Sequence, residues 1–394
     1  MAAPSIPSKA TSTKPGFTQA SLWSVAGSLA LVGAALAAFK LRSQPLWIDF
    51  LTMWTGGRMA RGTPHALYDF AADDRAQAWL LGAAARDRPF PYPPSTLLIF
   101  GPLGRLSFSA AGGIWIGATL IAFVAVTAFI LPPRRRVLGV ALIMLSPAAV
   151  WAAVSGQCVF LLGALAIGGI AQLRQRPILA GSLLGVAAAF KPSVLLMAPV
   201  AMAAGGRGWA ILGAALGGFC VIAGSLVVYG AQPWFDWVSV APLYLAHITR
   251  DPKFYSSIIA PSGLATELGL TGVTSMLWRV TFALLGVVMT ALVFRRTQDL
   301  APRLTALFGG SLLATPYAMN YESVLLAPGA VIALMTSTGV RQRLLTAMAF
   351  LALVVAGFPN LGATALLVFL AFAVFSFRPE HEADARGYPP SVCS

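Results

Sequence analysis

The sequence predicts an all-α, polytopic membrane protein, and three observations carry that expectation. Hydrophobic residues make up 58% of the chain and charged residues only 10%, with a mean hydropathy of +0.78; a soluble domain carries about 25% charged residues. Apolar runs of helical length recur along the chain. Short arginine clusters fall between them at intervals, as they do in the cytoplasmic loops of multi-span proteins.

The elements follow in order. Residues 1–20, "MAAPSIPSKATSTKPGFTQA", are rich in Pro, Ser and Thr and read as a disordered cytoplasmic tail. Residues 21–39 imitate a signal peptide, yet the run is long enough to span and no small-x-small cleavage site precedes a mature domain, so it reads as a retained first helix. Further apolar runs lie near 112–131, 137–152, 157–172, 178–190, 192–204, 209–229, 276–294, 303–315, 322–337, 344–357 and 361–377. The expected bundle therefore has about 11–13 transmembrane helices. Several runs are shorter than the ~20 residues a span needs. Short helices at membrane depth imply broken spans or cavity walls, tolerated where they are buried in protein or line water. The run 93–107, with Gly101-Pro102 at its middle, is either re-entrant or a further span. Residues 378–394 form a second cytoplasmic tail, which leaves 21–377 as the membrane domain.

Charge gives the orientation. Lys and Arg number 27 against 13 Asp and Glu, a formal charge of +14. Placing Arg134-Arg135-Arg136, Arg174 with Arg176, Arg295-Arg296, and Arg341 with Arg343 in the cytoplasm sends two long segments outside. They are a first extracytoplasmic loop, 40–92, and a second large one, 230–275. "SGQ" at 155–157, "FKPS" at 190–193 and "TPYAMNYE" at 315–322 fall at the same face. Because the basic residues sit in short clusters and form no single face, nucleic acid is not expected as a partner. Cys158, Cys220 and Cys393 are too scattered for a disulfide framework or a metal site. No Ser/His/Asp, HExxH, P-loop or dinucleotide pattern appears, and neither a cofactor nor a metal is expected. His247 and His381 are isolated.

The candidate site residues lie in the outer segments. Asp49 stands between Trp47-Ile48 and Phe50, about ten residues after the first helix. Apolar neighbours desolvate a carboxylate and make it a better base; the competing reading is an N-cap for a helix starting at Phe50. Arg58, Arg61, His65, Arg75, Arg86 and Arg88 share this loop against the positive-inside bias. They either hold a phosphate, which arginine grips by paired hydrogen bonds, or solvate the loop and meet anionic headgroups. Asp69 with Asp73-Asp74 could ligate a divalent ion, with surface solvation as the simpler reading. Lys191, in "AAAFKPSVLLM", needs a phosphate or carboxylate partner unless it snorkels. In "TPYAMNYES", Asn320, Tyr321 and Glu322 offer hydrogen bonds to a sugar, and Tyr317 and Tyr321 offer stacking faces; interfacial tyrosines on a loop cap are the alternative.

Five segments in this order, "DFLTMWTGGRMARGTPHALYDF", "FPYPPSTLLIFGPLGRL", "SGQCVFLLGALAIGGI", "LAGSLLGVAAAFKPSVLLMAPVAM" and "TPYAMNYESVLLAP", resemble glycosyltransferase family 87 over about residues 20–340. These are polyprenyl-phosphate-mannose-type alpha-mannosyltransferases of the GT-C fold. The resemblance implies a catalytic aspartate in the first outer loop, at Asp49. It also implies functional positions at Tyr92-Pro93-Pro94, at Gly156-Gln157 and at Lys191-Pro192. The family's late motif carries a histidine or aspartate where this chain has Asn320 and Glu322, a departure that bears on sugar or acceptor preference. The implied reaction moves a hexose, mannose in the family, from a polyprenyl-phosphate-sugar donor to a lipid-linked or cell-envelope glycan acceptor, with inversion. The implied place is the bacterial plasma membrane, with the active site on its extracytoplasmic side.

The chemistry fits that expectation independently. A lipid-phosphate sugar carries its own good leaving group, so one base to deprotonate the acceptor suffices, while Lys191, Arg58 or Arg61 neutralises the departing phosphate. His65, Tyr92, Gln157, Tyr317, Asn320, Tyr321 and Glu322 are the expected substrate contacts. A non-catalytic flippase or transporter of lipid-linked sugars would also want a polar cavity and basic residues, but not a base; no paired repeat of the transporter kind is visible. A catalytically dead membrane scaffold is a further alternative.

Overall fold

A computed structural model describes residues 17–81, 88–251, 254, 257–357, 369–371 and 373. Residues 1–16 and 378–394 of the expected tails, most of the expected run 361–377, Arg86 and Cys393 lie outside the described residues. The described chain is helical throughout. The helices are α1 (Gln19–Leu41), α2 (Ile48–Gly62), α3 (Phe70–Leu81), α4 (Leu97–Leu103), α5 (Phe108–Ile130), α6 (Arg136–Met144), α7 (Pro147–Ser155), α8 (Val159–Gln172), α9 (Pro177–Phe190), α10 (Ala198–Ala204), α11 (Gly208–Tyr229), α12 (Gln232–Arg250), α13 (Pro261–Glu267), α14 (Gly272–Arg296), α15 (Leu300–Ala314), α16 (Ala327–Thr336) and α17 (Val340–Ala356). Among the described residues β pairing is limited to one antiparallel bridge, Ile258 with Met319.

Helix starts follow local chemistry. Thr18, Ser107 and Ser146 precede α1, α5 and α7, and each side chain accepts a hydrogen bond from a first-turn amide. Prolines open α7, α9 and α13, where the missing N–H costs nothing.

Four helices, α1, α5, α11 and α14, are long and apolar enough to cross a membrane. A fifth span results if the pair Pro133–Met144 and Pro147–Ser155, bent by 65°, is counted as one. The long helices show large apolar side chains outward: Phe39 on α1, Ile121 and Phe129 on α5, Phe219 and Val227 on α11, Leu284 on α14. In water such faces would be costly; in lipid they are the expected surface. The protein is an all-α, multi-pass membrane protein. The run 93–107 forms a short apolar helix, Pro94–Leu103, rather than a full-length one.

Close packing inside the bundle uses small residues. A Cβ added at Gly181 of α9 would lie 1.9 Å from the Ala210 carbonyl oxygen of α11, and one at Gly185 would lie 2.0 Å from that of Ala214. The two backbones touch where lipid supplies no hydrophobic drive, so van der Waals contact at glycine holds them.

Both long segments expected outside are more ordered than a loop reading expects. Residues 40–92 contain α2 and α3, and Phe50, Leu51 and Met53 are fully buried. The polar composition of α2 hides an apolar face that packs against α4 and α5. Residues 230–275 contain α12 and α13. α12 is two-faced, with Phe235, Val238 and Leu243 exposed and Val240 and Ile248 buried.

Two of the arginine clusters, 134–136 and 341–343, lie at the opposite end of α1 from Asp49. Arg135 sits 5.1 Å over the Trp23 ring and Arg343 donates to the Phe17 carbonyl at the N-terminal end, while Asp49 follows the C-terminal end. A helix of this length rises about 34 Å.

Candidate functional site

The site is built on the start of α2. Trp47 precedes the helix with φ +61°, the one non-glycine residue in the left-handed region among those described. A bulky residue there is strained. Its amide donates to the Val154 carbonyl at 2.7 Å, and its ring lies on Gly112. These contacts hold α2 in place and fix where the first turn points.

Asp49 lies in that first turn but makes no capping bond; no side chain caps α2. Its carboxylate instead accepts from Arg88 Nη1 at 2.5 Å and from Gln157 Nε2 at 2.8 Å. The cap reading of Asp49 therefore fails, because its oxygens face away from the helix amides. Gln157 also accepts from the Tyr92 hydroxyl at 3.4 Å. The segment 88–92 is itself clamped. The Arg88 carbonyl accepts from Gln77 Nε2 at 2.8 Å and from Thr52 Oγ1 at 3.3 Å, and the Tyr92 carbonyl accepts from the Tyr68 hydroxyl at 2.8 Å. α2, α3 and the turn after α7 thus deliver Asp49, Arg88, Tyr92 and Gln157 to one place.

That place is a cavity of about 250 Å³, lined by Asp49, Thr52, Arg88, Tyr92, Gln157, Tyr244, His247, Asn320 and Tyr321 among others. A second cavity of about 540 Å³ adjoins it, lined by Lys191, Pro192, Trp237, Val238, Val240, Leu245 and Tyr317. Pro91, Tyr92, Tyr244, Met319 and Tyr321 line both and form the wall between them. The first is the more polar of the two; the second is largely apolar, with α12 along one side.

Lys191 ends α9 and is buried, as is its partner Glu322, with which it forms an ion pair. The carboxylate partner, one of the two the sequence left open, is thus present, and Lys191 does not snorkel. Glu322 also accepts from the Met319 amide at 3.1 Å, and the Lys191 ammonium lies 5.6 Å from the Tyr321 ring. Asn320 accepts from the Tyr321 amide at 2.9 Å. Tyr317 meets Tyr244 edge-on at 6.0 Å between ring centres.

Four expected site residues line neither cavity, and Glu322 is one of them: it is 1% exposed and its carboxylate is spent on Lys191 rather than offered to a sugar. Arg58 and Arg61 are exposed toward the far end of α2, and His65 is exposed in the turn after it. At 1.5 Å per residue Arg58 lies about 14 Å and Arg61 about 18 Å along the axis from Asp49. They line neither cavity. The acidic group at 69–74 is divided too. Asp69 accepts from the Ala71 and Ala72 amides at the start of α3, and among the described residues no three His, Cys, Asp or Glu side chains group to hold a metal ion. Asp73 is 1% exposed rather than solvated. Burial pushes its carboxyl up to about 7, against the opposing pull of the Gln77 side chain and the Phe90 amide.

The structure adds residues that spacing did not single out. Arg88 was one basic residue of six, and only the fold shows it on Asp49. Tyr244 and His247 line the first cavity, and His247 packs on Phe70 and Phe254 at 6.1 and 5.6 Å between ring centres. The signal for both was present: Tyr244, His247 and Ile248 stand at i, i+3 and i+4 and share one face of α12.

A family model, glycosyltransferase family 87, matches residues 90–316, more than half of the chain. Tyr92, Gln157 and Lys191 fall inside the matched stretch. Comparison with curated proteins and with solved structures finds no match.

Proposed function

The chain belongs to glycosyltransferase family 87, and from that premise we propose that it transfers a hexose, mannose in the first instance, from a polyprenyl-phosphate-sugar to a lipid-linked or cell-envelope glycan. As a member it is a membrane glycosyltransferase. In our reading residues 21–377 form the catalytic unit in a bacterial plasma membrane, and the Asp49 face is extracytoplasmic.

One observation carries this reading: a carboxylate held in the wall of the more polar cavity, which shares tyrosines with a larger apolar one. The acceptor glycan enters the first cavity. Asp49 takes the proton from the attacking hydroxyl as its oxygen bonds to the anomeric carbon from the face opposite the phosphate, and the C–O bond to phosphate breaks. The anomeric centre inverts. Gln157 fixes the Asp49 carboxylate through its amide N–H. The donor lies across the tyrosine wall, its lipid along α12 in the second cavity. Lys191, which lines the second cavity, supplies positive charge to the departing phosphate, while Arg88 holds Asp49 on the acceptor side. Tyr92, Tyr317 and Tyr321 offer faces and hydroxyls to the sugar, and Asn320 a hydrogen bond.

Purified protein incubated with polyprenyl-phosphate-mannose and a lipid-linked glycan acceptor tests this. Transfer with inverted anomeric configuration is the expected product. Transfer from a nucleotide sugar but not from the lipid phosphate would overturn the donor assignment.

A further inference from the structure

Arg58, Arg61 and Arg105 form a cationic cluster outside the catalytic cavities. All three are exposed. They come from two segments brought together by close packing: a Cβ added at Gly57 would lie 2.0 Å from the Phe100 carbonyl oxygen, so α2 and α4 touch backbone to backbone. Gly104 in turn lies against the Arg58 backbone and Cγ. Arg61 and Arg105 are both within electrostatic reach of the Tyr229 hydroxyl. Arg58 lies 4.8 Å over the Trp54 ring, whose indole N–H donates to the Leu106 carbonyl at 3.1 Å.

The ion pairs Arg88 with Asp49 and Lys191 with Glu322 do not reach this cluster. The C-terminal end of α2 favours a cation, which accounts for one arginine in its last turn but not for three from two segments. The positive-inside bias removes basic residues from the outer face, so on the orientation proposed above their retention there needs a reason.

Position supplies it. Arg105 stands just before α5, and Tyr229 is the last residue of α11; both helices are membrane spans by length and hydropathy. Leu106, Val227 and Val228 beside the cluster are exposed apolar side chains. The arginines therefore sit at headgroup depth, next to acyl-chain depth, where tryptophan and tyrosine are also at home. We propose that Arg58, Arg61 and Arg105 bind the phosphodiester headgroup of an anionic phospholipid in the leaflet on the Asp49 side. The site is separate from the donor-phosphate contacts. It anchors the far end of α2, the helix whose first turn carries Asp49.

The test uses the full chain in phosphatidylcholine nanodiscs containing a phosphatidylglycerol analogue with a photoreactive headgroup. Adducts should map to peptides covering residues 54–61 and 104–108. Arg58→Gln with Arg61→Gln and Arg105→Gln should reduce that labelling by about five-fold per arginine, on the order of a hundred-fold for all three, with an unchanged melting temperature because the side chains are exposed. High salt should weaken it in the wild type. Labelling unaffected by the triple substitution, equal labelling by a phosphatidylcholine analogue, or full competition by millimolar inorganic phosphate would each overturn the assignment. Because the readout is lipid labelling, it is independent of whether the donor assignment holds.

Discussion

Two opposite-charge pairs flank the tyrosine wall, and they differ in depth. The Arg88 and Asp49 side chains are 19% and 21% exposed, whereas Lys191 and Glu322 are 10% and 1% exposed. A part-exposed pair contributes little to stability and can be opened by a ligand. A buried pair is costly to break, because removing one member strands the other as an uncompensated charge. The comparison assigns them different work. The Asp49 pair is held ready and exchangeable; the Lys191 pair is part of the frame of the second cavity, with Glu322 fixing the ammonium where the departing phosphate is proposed to meet it.

The largest expected effect tests the buried side. Glu322→Ala should destabilise the protein by about 3–5 kcal/mol, read as a lower melting temperature in detergent, and a second change, Lys191→Met, should recover much of the loss. If Glu322→Ala melts like the wild type, the pair is not structural and the contrast collapses.

The next prediction concerns Asp73, buried beneath the segment that presents Arg88. Its folded carboxyl is raised from 3.8 to about 7, so the folded state binds the proton more tightly than the unfolded chain. Stability is therefore greatest below about pH 4 for this group and falls as pH rises toward 7, by an amount on the order of a few kcal/mol. Melting temperature against pH should show that slope in the wild type and lose it in Asp73→Asn. An unchanged slope in the variant would show that Asp73 is not the group responsible.

Arg88→Gln addresses the exposed pair. It should lower turnover about 10²-fold through lost positioning of the Asp49 carboxylate, with less than about 1 kcal/mol of stability lost. A large drop in melting temperature would move this pair into the structural class. The smallest effect is expected for Tyr68→Phe, which removes one hydrogen bond to the Tyr92 carbonyl and should cost about 1 kcal/mol, measured by denaturation in mild detergent; no change at all would mean the 88–92 segment is held by other contacts.

The bundle was legible because lipid demands long apolar runs. The run expected at 209–229 is α11, Gly208–Tyr229, and that at 276–294 is the core of α14, Gly272–Arg296. The start of α5 was missed by four residues because Ser107, a cap, reads as loop composition. α2 entered only as the helix from Phe50 that an Asp49 cap would imply, and it starts at Ile48; its glycines and arginines otherwise read as a polar loop, while its apolar side chains find burial only against α4 and α5. Asp49, Gln157 and Lys191 were reachable through the ordered motifs. Their partners Arg88 and Glu322 were not assigned to them, since nothing in spacing tells which of several loop charges will meet across the fold. The same limit put Arg58 and Arg61 with the donor phosphate; helical rise along α2 separates them from Asp49.

The central claim is that Asp49 removes the acceptor proton. Asp49→Asn keeps size and one acceptor oxygen, enough for Arg88 or Gln157 but not both, and offers no basic oxygen. Single-turnover transfer by the folded variant, with donor binding measured in parallel, tests it most directly. The rate should fall by ~10²–10⁴-fold while donor affinity and melting temperature stay near those of the wild type; near-wild-type transfer by Asp49→Asn would contradict the account.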